Sequence, residues 1–243
     1  MTYCVGLKLD RGLVFASDTR TNAGVDNIAT FKKMHSWQEP GERVITLLSS
    51  GNLAVTQAVI SLLTEHITSA DADRATLMTA KTMFQVARLV GSAVREVKAI
   101  DGEALAASAD NFFVTFILGG QIKGEEPRMF QVYAAGNFIE VCEDTPFLQI
   151  GEHKYGKPIL DRVTRADMRL GEAAKLVLLS FDSTVRSNLS VGMPIDMLLY
   201  NTDSFSTERQ VRIQQDDPYF QKLSNGWSEK LRQAFAEIEE FEV

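Results

Sequence analysis

Three short features of this chain carry residue types that can do chemistry. The first is Thr2. Removal of Met1 would leave it as the N-terminus, a hydroxyl nucleophile beside its own α-amine, whose pKa of about 7.7–8.0 makes it a usable base near neutrality. A small second residue is equally common in proteins that do nothing with it. The second feature is Asp18 with Lys33. A carboxylate at the end of a strand adjoining Thr2 can hold a lysine whose charge lowers the pKa of the hydroxyl and the amine. Asp18 can also simply cap a loop, and Lys33 can be a solvated cation. The third is Ser49-Ser50-Gly51-Asn52. A strand running through a glycine into a helix N-terminus can leave backbone N–H groups pointing outward, able to hold a developing oxyanion. Many folds contain such a turn with no chemistry attached.

These groups sit in a chain of 243 residues, 45% hydrophobic and 23% charged. That is ordinary for a globular protein and long enough for one large domain with a sizeable core. Lys and Arg number 25 against 32 Asp and Glu, a net charge of −7. Such a surface repels phosphate backbones, so nucleic acid is not an expected partner. Cys4 and Cys142 are too few for a disulfide framework or a thiolate metal site, and His35, His66 and His153 leave little material for a histidine-rich centre. No metal or cofactor is expected. The start of the chain has no basic and apolar leader, and no apolar run reaches the roughly 18 residues of a membrane span. The expected location is therefore the cytoplasm, with no membrane partner.

The elements that must position these residues come in runs. Residues 4–9 and 13–16 read as strands around a turn at Asp10-Arg11-Gly12, residues 19–30 as a loop, 31–35 as extended chain and 44–49 as a strand entering Gly51. Apolar spacing then predicts a helix over 52–67 capped by Asn52, and a second over about 75–98. Strands return at 112–118, 129–134 and 138–142, the last two joined at Gly136-Asn137. Helices follow over about 154–164 and 170–188, strands at 195–200 and 210–213, and a C-terminal helix over about 218–241. Because strands and helices are grouped and do not alternate singly, the fold class is α+β, with two sheets carrying helix pairs on their outer faces. No Pro-, Gly- or Ser-rich linker divides residues 1–243, so they read as a single domain.

Taken together, the features resemble one family. Thr2-x-x-Val5-Gly6, Gly12-x-Val14-x-Ala16-Ser17-Asp18-x-Arg20 and Lys32-Lys33 resemble the opening strands of the proteasome-type β-subunits, which are N-terminal-nucleophile hydrolases. Ser50-Gly51-x-x-Ala54-x-Thr56-Gln57 resembles their glycine, first helix and Thr-Gln, and Ser190-x-Gly192 their Ser-Gly-Gly. The Thr-Tyr-Cys-Val-Gly start and the segment 183–188 are most similar to the bacterial branch called Anbu, related to HslV. The resemblance implies a four-layer αββα sandwich. It implies peptide-bond hydrolysis with Thr2 as nucleophile and its α-amine as base, Lys33 tuning that step, Asp18 orienting Lys33 and the Gly51 N–H as oxyanion donor. By family position Thr21 pairs with the substrate backbone, and Phe31, Ser49 and Leu53 wall a modest apolar pocket. It also implies a peptide or unfolded-protein substrate and a homo-oligomeric ring; whether an ATPase feeds the particle is not readable from the sequence. The chain departs from the pattern twice: Ser187 stands where family subunits carry an aspartate, and Glu152, beside Gly151, where they carry a serine. A catalytically weak self-assembling or binding protein, and an amidase acting on small amides, are the alternatives.

Overall fold

The computed structural model describes residues 2–22, 28–69, 74–108 and 112–242. In chain order the strands are β1 (Tyr3–Leu9), β2 (Gly12–Asp18), β3 (Arg20–Asn22), β4 (Ile28–Thr30), β5 (Met34–Glu39), β6 (Arg43–Gly51), β7 (Val114–Ile122), β8 (Arg128–Val132), β9 (Phe138–Glu140), β10 (Phe147–Gly151), β11 (Ile195–Asn201) and β12 (Gln210–Ile213). The helices are α1 (Leu53–Thr68), α2 (Met83–Ala107), α3 (Lys157–Val163), α4 (Leu170–Ser187) and α5 (Pro218–Glu237). One antiparallel sheet has the order β10-β1-β2-β11-β12 and the other β5-β6-β7-β8-β9.

Alternation along the strands sorts the core into three layers. In β2, Val14 and Ala16 join Tyr3, Val5 and Leu7 of β1 beneath α3 and α4, while Leu13 and Phe15 face the other sheet. In β6, Ile45 and Leu47 pack under α1 and α2, while Val44 and Leu48 turn inward. A sheet with one face on helices and the other on a second sheet must be apolar on both, which is why β1 and β2 read as nearly continuous apolar runs. The result is the αββα sandwich.

Several elements differ from their sequence-based expectations. The expected loop at 19–30 holds β3 and β4, paired with each other; strands of three residues are too short for alternation to be read. Ala23 and Gly24 of that loop lie outside the described residues. The second helix begins eight residues later than expected. Thr76 Oγ1 accepts the N–H groups of Met78 and Thr79, both at 3.2 Å, holding a separate turn, and Thr82 then caps α2 by accepting the Gln85 N–H at 3.1 Å. Helix α2 also runs on through Gly102 to Ala107. Strand β10 has no counterpart in the expectation, and α5 ends at Glu237, before the expected 241.

Candidate active site

The site is built where the two sheets meet. In β1, Tyr3 packs under the helices and Cys4 faces the opposite sheet; one further step of the alternation turns Thr2 to the intersheet side. Thr2 is only 7% exposed. Behind it the Cys4 thiol donates to the Ser49 carbonyl at 3.6 Å, tying β1 to β6. Burial pushes that thiol far above its ordinary pKa, so Cys4 stays an uncharged packing group and competes for no proton.

Asp18 ends β2 and is fully buried. Its Oδ1 accepts Lys33 Nζ at 2.7 Å and the Tyr3 N–H at 3.1 Å, and its Oδ2 accepts the Gly192 N–H at 3.3 Å. Lys33 Nζ also donates to the Arg20 carbonyl at 2.6 Å. Burial pushes the Asp18 carboxyl up, and the Lys33 charge and these hydrogen bonds oppose that push. The pair is thus a fixed cation on a fixed counter-ion, aimed at the start of β1. Neither residue is the capping or solvated group that its sequence context equally permits.

Gly51 closes β6 in a conformation that favours glycine, with φ at +125°, and a Cβ there would lie 2.1 Å from the Phe113 carbonyl oxygen. The Ser49 N–H donates to Lys33 O on the β5 side, and the Asn52 N–H to Phe113 O on the β7 side. Since N–H directions alternate along a strand, the Gly51 N–H lies on the Lys33 side. Asn52 then caps α1, its Oδ1 accepting from Ala54 and Val55 at 3.0 and 3.3 Å.

These groups share a cavity of about 280 Å³ lined by Thr2, Thr21, Lys33, Ser49, Ser50, Gly51, Leu53, Thr56, Phe113 and Gly151. Of the residues singled out from the sequence, Thr2, Thr21, Lys33, Gly51, Ser49 and Leu53 line it directly, and Asp18 sits behind Lys33. Phe31 does not; its N–H bonds Thr19 O at 2.9 Å, away from the lining. Thr56 and Phe113 are walls that sequence reasoning missed. Thr56 was visible as part of a Thr-Gln match, and Phe113 as an apolar residue adjoining the β7 segment. Five hydroxyl-bearing residues line it together with Leu53 and Phe113. Among the described residues no group of three His, Cys, Asp or Glu is placed to hold a metal.

The two departures are placed differently. Ser187 is exposed at the last turn of α4. The Glu152 N–H donates to the Thr2 carbonyl at 2.6 Å, so the position read as a lost serine adjoins Thr2.

The family model described as Proteasome subunit matches residues 2–198. The chain belongs to the proteasome subunit family. Anbu from Hyphomicrobium sp. strain MC1 is similar at 63% identity over 100% of both chains, with a TM-score of 0.93. Anbu (ancestral beta-subunit) from Yersinia bercovieri is 50% identical over 100% of this chain and 99% of that one, and a structure described as the helical assembly of the Anbu complex from Pseudomonas aeruginosa is 46% identical over 99% and 98%, both again at 0.93. Among curated proteins no match is found. The proteasome-family fold is that of N-terminal-nucleophile hydrolases, and among the described residues no helix is long and apolar enough to cross a membrane.

Proposed function

We propose that the protein is a threonine-type peptidase whose nucleophile is Thr2 after removal of Met1. The observation that carries this reading is the convergence of Thr2, Lys33 and Gly51 on one cavity, with Lys33 held by Asp18. Thr2 Oγ1 attacks the carbonyl carbon of a bound peptide bond while the α-amine takes the hydroxyl proton. The Gly51 N–H receives the developing oxyanion, a contribution of about 10²–10³ in rate where such donors have been removed elsewhere. The amine then returns a proton to the leaving nitrogen, leaving an ester on Thr2 that water hydrolyses. The nearby Lys33 charge favours the unprotonated amine, so the rate rises with pH as that amine loses its proton, below its free value of about 7.7–8.0.

Self-assembly belongs to the same reading, supported by the relative described as a helical assembly and by the exposed apolar residues Leu231, Phe235, Ile238 and Phe241 at the C-terminal end. A cytoplasmic location and a peptide or unfolded-protein substrate complete it.

Intact-mass measurement after treatment with a peptide boronate or epoxyketone tests the chemistry. A single adduct on a chain lacking Met1, lost in Thr2→Ala, is expected. A native chain that retains Met1, or labelling unaffected by Thr2→Ala, would overturn the nucleophile. The second reading, a weakly catalytic assembly protein, is favoured by Ser187 and Glu152 standing where the family resemblance puts other residues. An assembled, unlabelled protein would establish it.

A further inference from the structure

The peptide bond between Thr2 and Tyr3 is held at both of its polar atoms. Its carbonyl oxygen accepts the Glu152 N–H at 2.6 Å, and its N–H donates to Asp18 Oδ1 at 3.1 Å. The first hold needs Gly151, which takes φ +81° and whose Cβ would lie 1.9 Å from that carbonyl oxygen. No other residue type allows β10 to come so close.

Both holds lead to one loop, residues 188–192 between α4 and β11. Glu152 Oε2 accepts Asn188 Nδ2 at 3.0 Å, while Oε1 accepts the Lys154 N–H at 3.1 Å. Asn188 is itself fixed, its Oδ1 accepting the Ser190 N–H at 2.9 Å. At the other end of the loop the Gly192 N–H reaches Asp18 Oδ2 at 3.3 Å. Between them the Leu189 carbonyl accepts Arg20 Nη1 at 3.0 Å, and the Arg20 carbonyl in turn accepts Lys33 Nζ. A circuit of hydrogen bonds, completed by the backbone of residues 188–192, therefore runs from the Thr2 carbonyl through Glu152, Asn188, Gly192 and Asp18 back to the Tyr3 N–H. Neither Glu152 nor Asn188 is among the residues that line the cavity.

We propose that Glu152 and Asn188 are positioning residues that lock the Thr2–Tyr3 peptide plane and so aim the Thr2 hydroxyl and amine into the cavity. The catalytic meaning of this lock rests on the peptidase reading; the lock itself does not. Fixing one peptide plane at both polar atoms removes the rotation that would swing the adjacent hydroxyl off line, and a misplacement of about 1 Å at a reacting group can cost about 10² in rate. Toward Asn188 the Glu152 carboxylate acts as a hydrogen-bond acceptor through Oε2, a contact that the single amide oxygen of glutamine can take over, while the Lys154 N–H loses its partner.

The test uses full-length protein with four variants: Glu152→Ala, Asn188→Ala, the double variant and Glu152→Gln. The first readout is the rate at which a peptide epoxyketone labels Thr2. Each alanine variant is expected to slow it about ten-fold or more. The double variant should be no slower than either single one, the signature of a shared contact, and Glu152→Gln should retain most of the rate. The second readout, hydrogen exchange at the Tyr3 and Glu152 amides, needs no activity. It should quicken in the alanine variants and stay slow in Glu152→Gln, with the thermal midpoint nearly unchanged. If wild type labels but the alanine variants match it, the lock is refuted and the peptidase reading stands. If wild type never labels yet exchange follows the expected pattern, the peptidase reading falls and the lock stands. Unchanged exchange in the alanine variants refutes the lock whatever the labelling.

Discussion

At the scale of single residues, the charge pair behind Thr2 has the largest expected energetic weight. Lys33 is 4% exposed and Asp18 fully buried, and their atoms meet at 2.7 Å. Replacing Lys33 by alanine strands a buried carboxylate, which should cost about 3–5 kcal/mol in urea unfolding. Adding Asp18→Asn should recover part of that loss, since the stranded charge is then gone; no recovery would mean the pair matters through packing alone. His35 carries a separate pH dependence. Burial and the neighbouring Lys32 charge lower its pKa, with Asp196 acting the other way. A native pKa below the unfolded value of about 6.5 means that the unfolded chain binds more protons in that window, so stability rises with pH there. The contribution is present above pH ~6.5 and is lost as pH falls through the native value. His35→Gln should flatten the decline of the thermal midpoint between about pH 7 and 5, and an unaltered slope would remove His35 from the account. Thr2, Asp18, Lys33 and Gly51 were readable because three features, each weak alone, occur together in the pattern of one family. Phe113 and Thr56 were not, because a phenylalanine beside a strand and a threonine in a helix look like structure. Only the turn at Gly51, which brings Phe113 O against it, makes them walls.

At the scale of elements, long periodic segments were legible, and among the short strands β9 and β12 were read while others were not. The helix from 52, the helix from 170 and the paired strands at the start were long enough for periodicity to declare them. Strands β3, β4 and β10 were not, being three to five residues with polar members whose pairing depends on distant chain. Strand β10 matters most, since Gly151 and Glu152 at its end hold the Thr2 carbonyl. The start of α1 matters for the opposite side of the cavity. Asn52 satisfies two N–H groups of the first turn, directly after Gly51. Asn52→Ala should cost about 1 kcal/mol, a drop of roughly 2–4 °C in thermal midpoint. Differential scanning calorimetry would measure it, and a change below about 0.5 °C would show that solvent replaces the cap.

At the scale of the whole molecule, the apolar residues at the C-terminal end lack cover within one chain. Phe235 is 80% exposed and Phe241 89%, among Glu237, Glu239, Glu240 and Glu242. If this end joins copies together, replacing Leu231, Phe235, Ile238 and Phe241 by serine should lower the mass seen by light scattering while the circular dichroism of the chain persists. An unchanged mass would move the joint elsewhere. The grouping of strands and helices was enough to give the layered α+β class, because it reflects which faces must be covered. It was silent about what meets across the layers, since one sheet is sequential while the other, β10-β1-β2-β11-β12, mixes strands from the two ends of the chain.

That mixing has a consequence for the order of manufacture. Thr2 leaves the ribosome well before Gly192, which bonds Asp18 from 174 positions away. At roughly 5–20 residues per second, about ten to forty seconds separate them. Throughout that interval the opening strand exists without the loop that completes its setting, alongside the newborn chain's own exposed peptide bonds. On the peptidase reading proposed above, such an arrangement would spare the chain during its own synthesis, because the opening strand is made well before the loop that completes its setting.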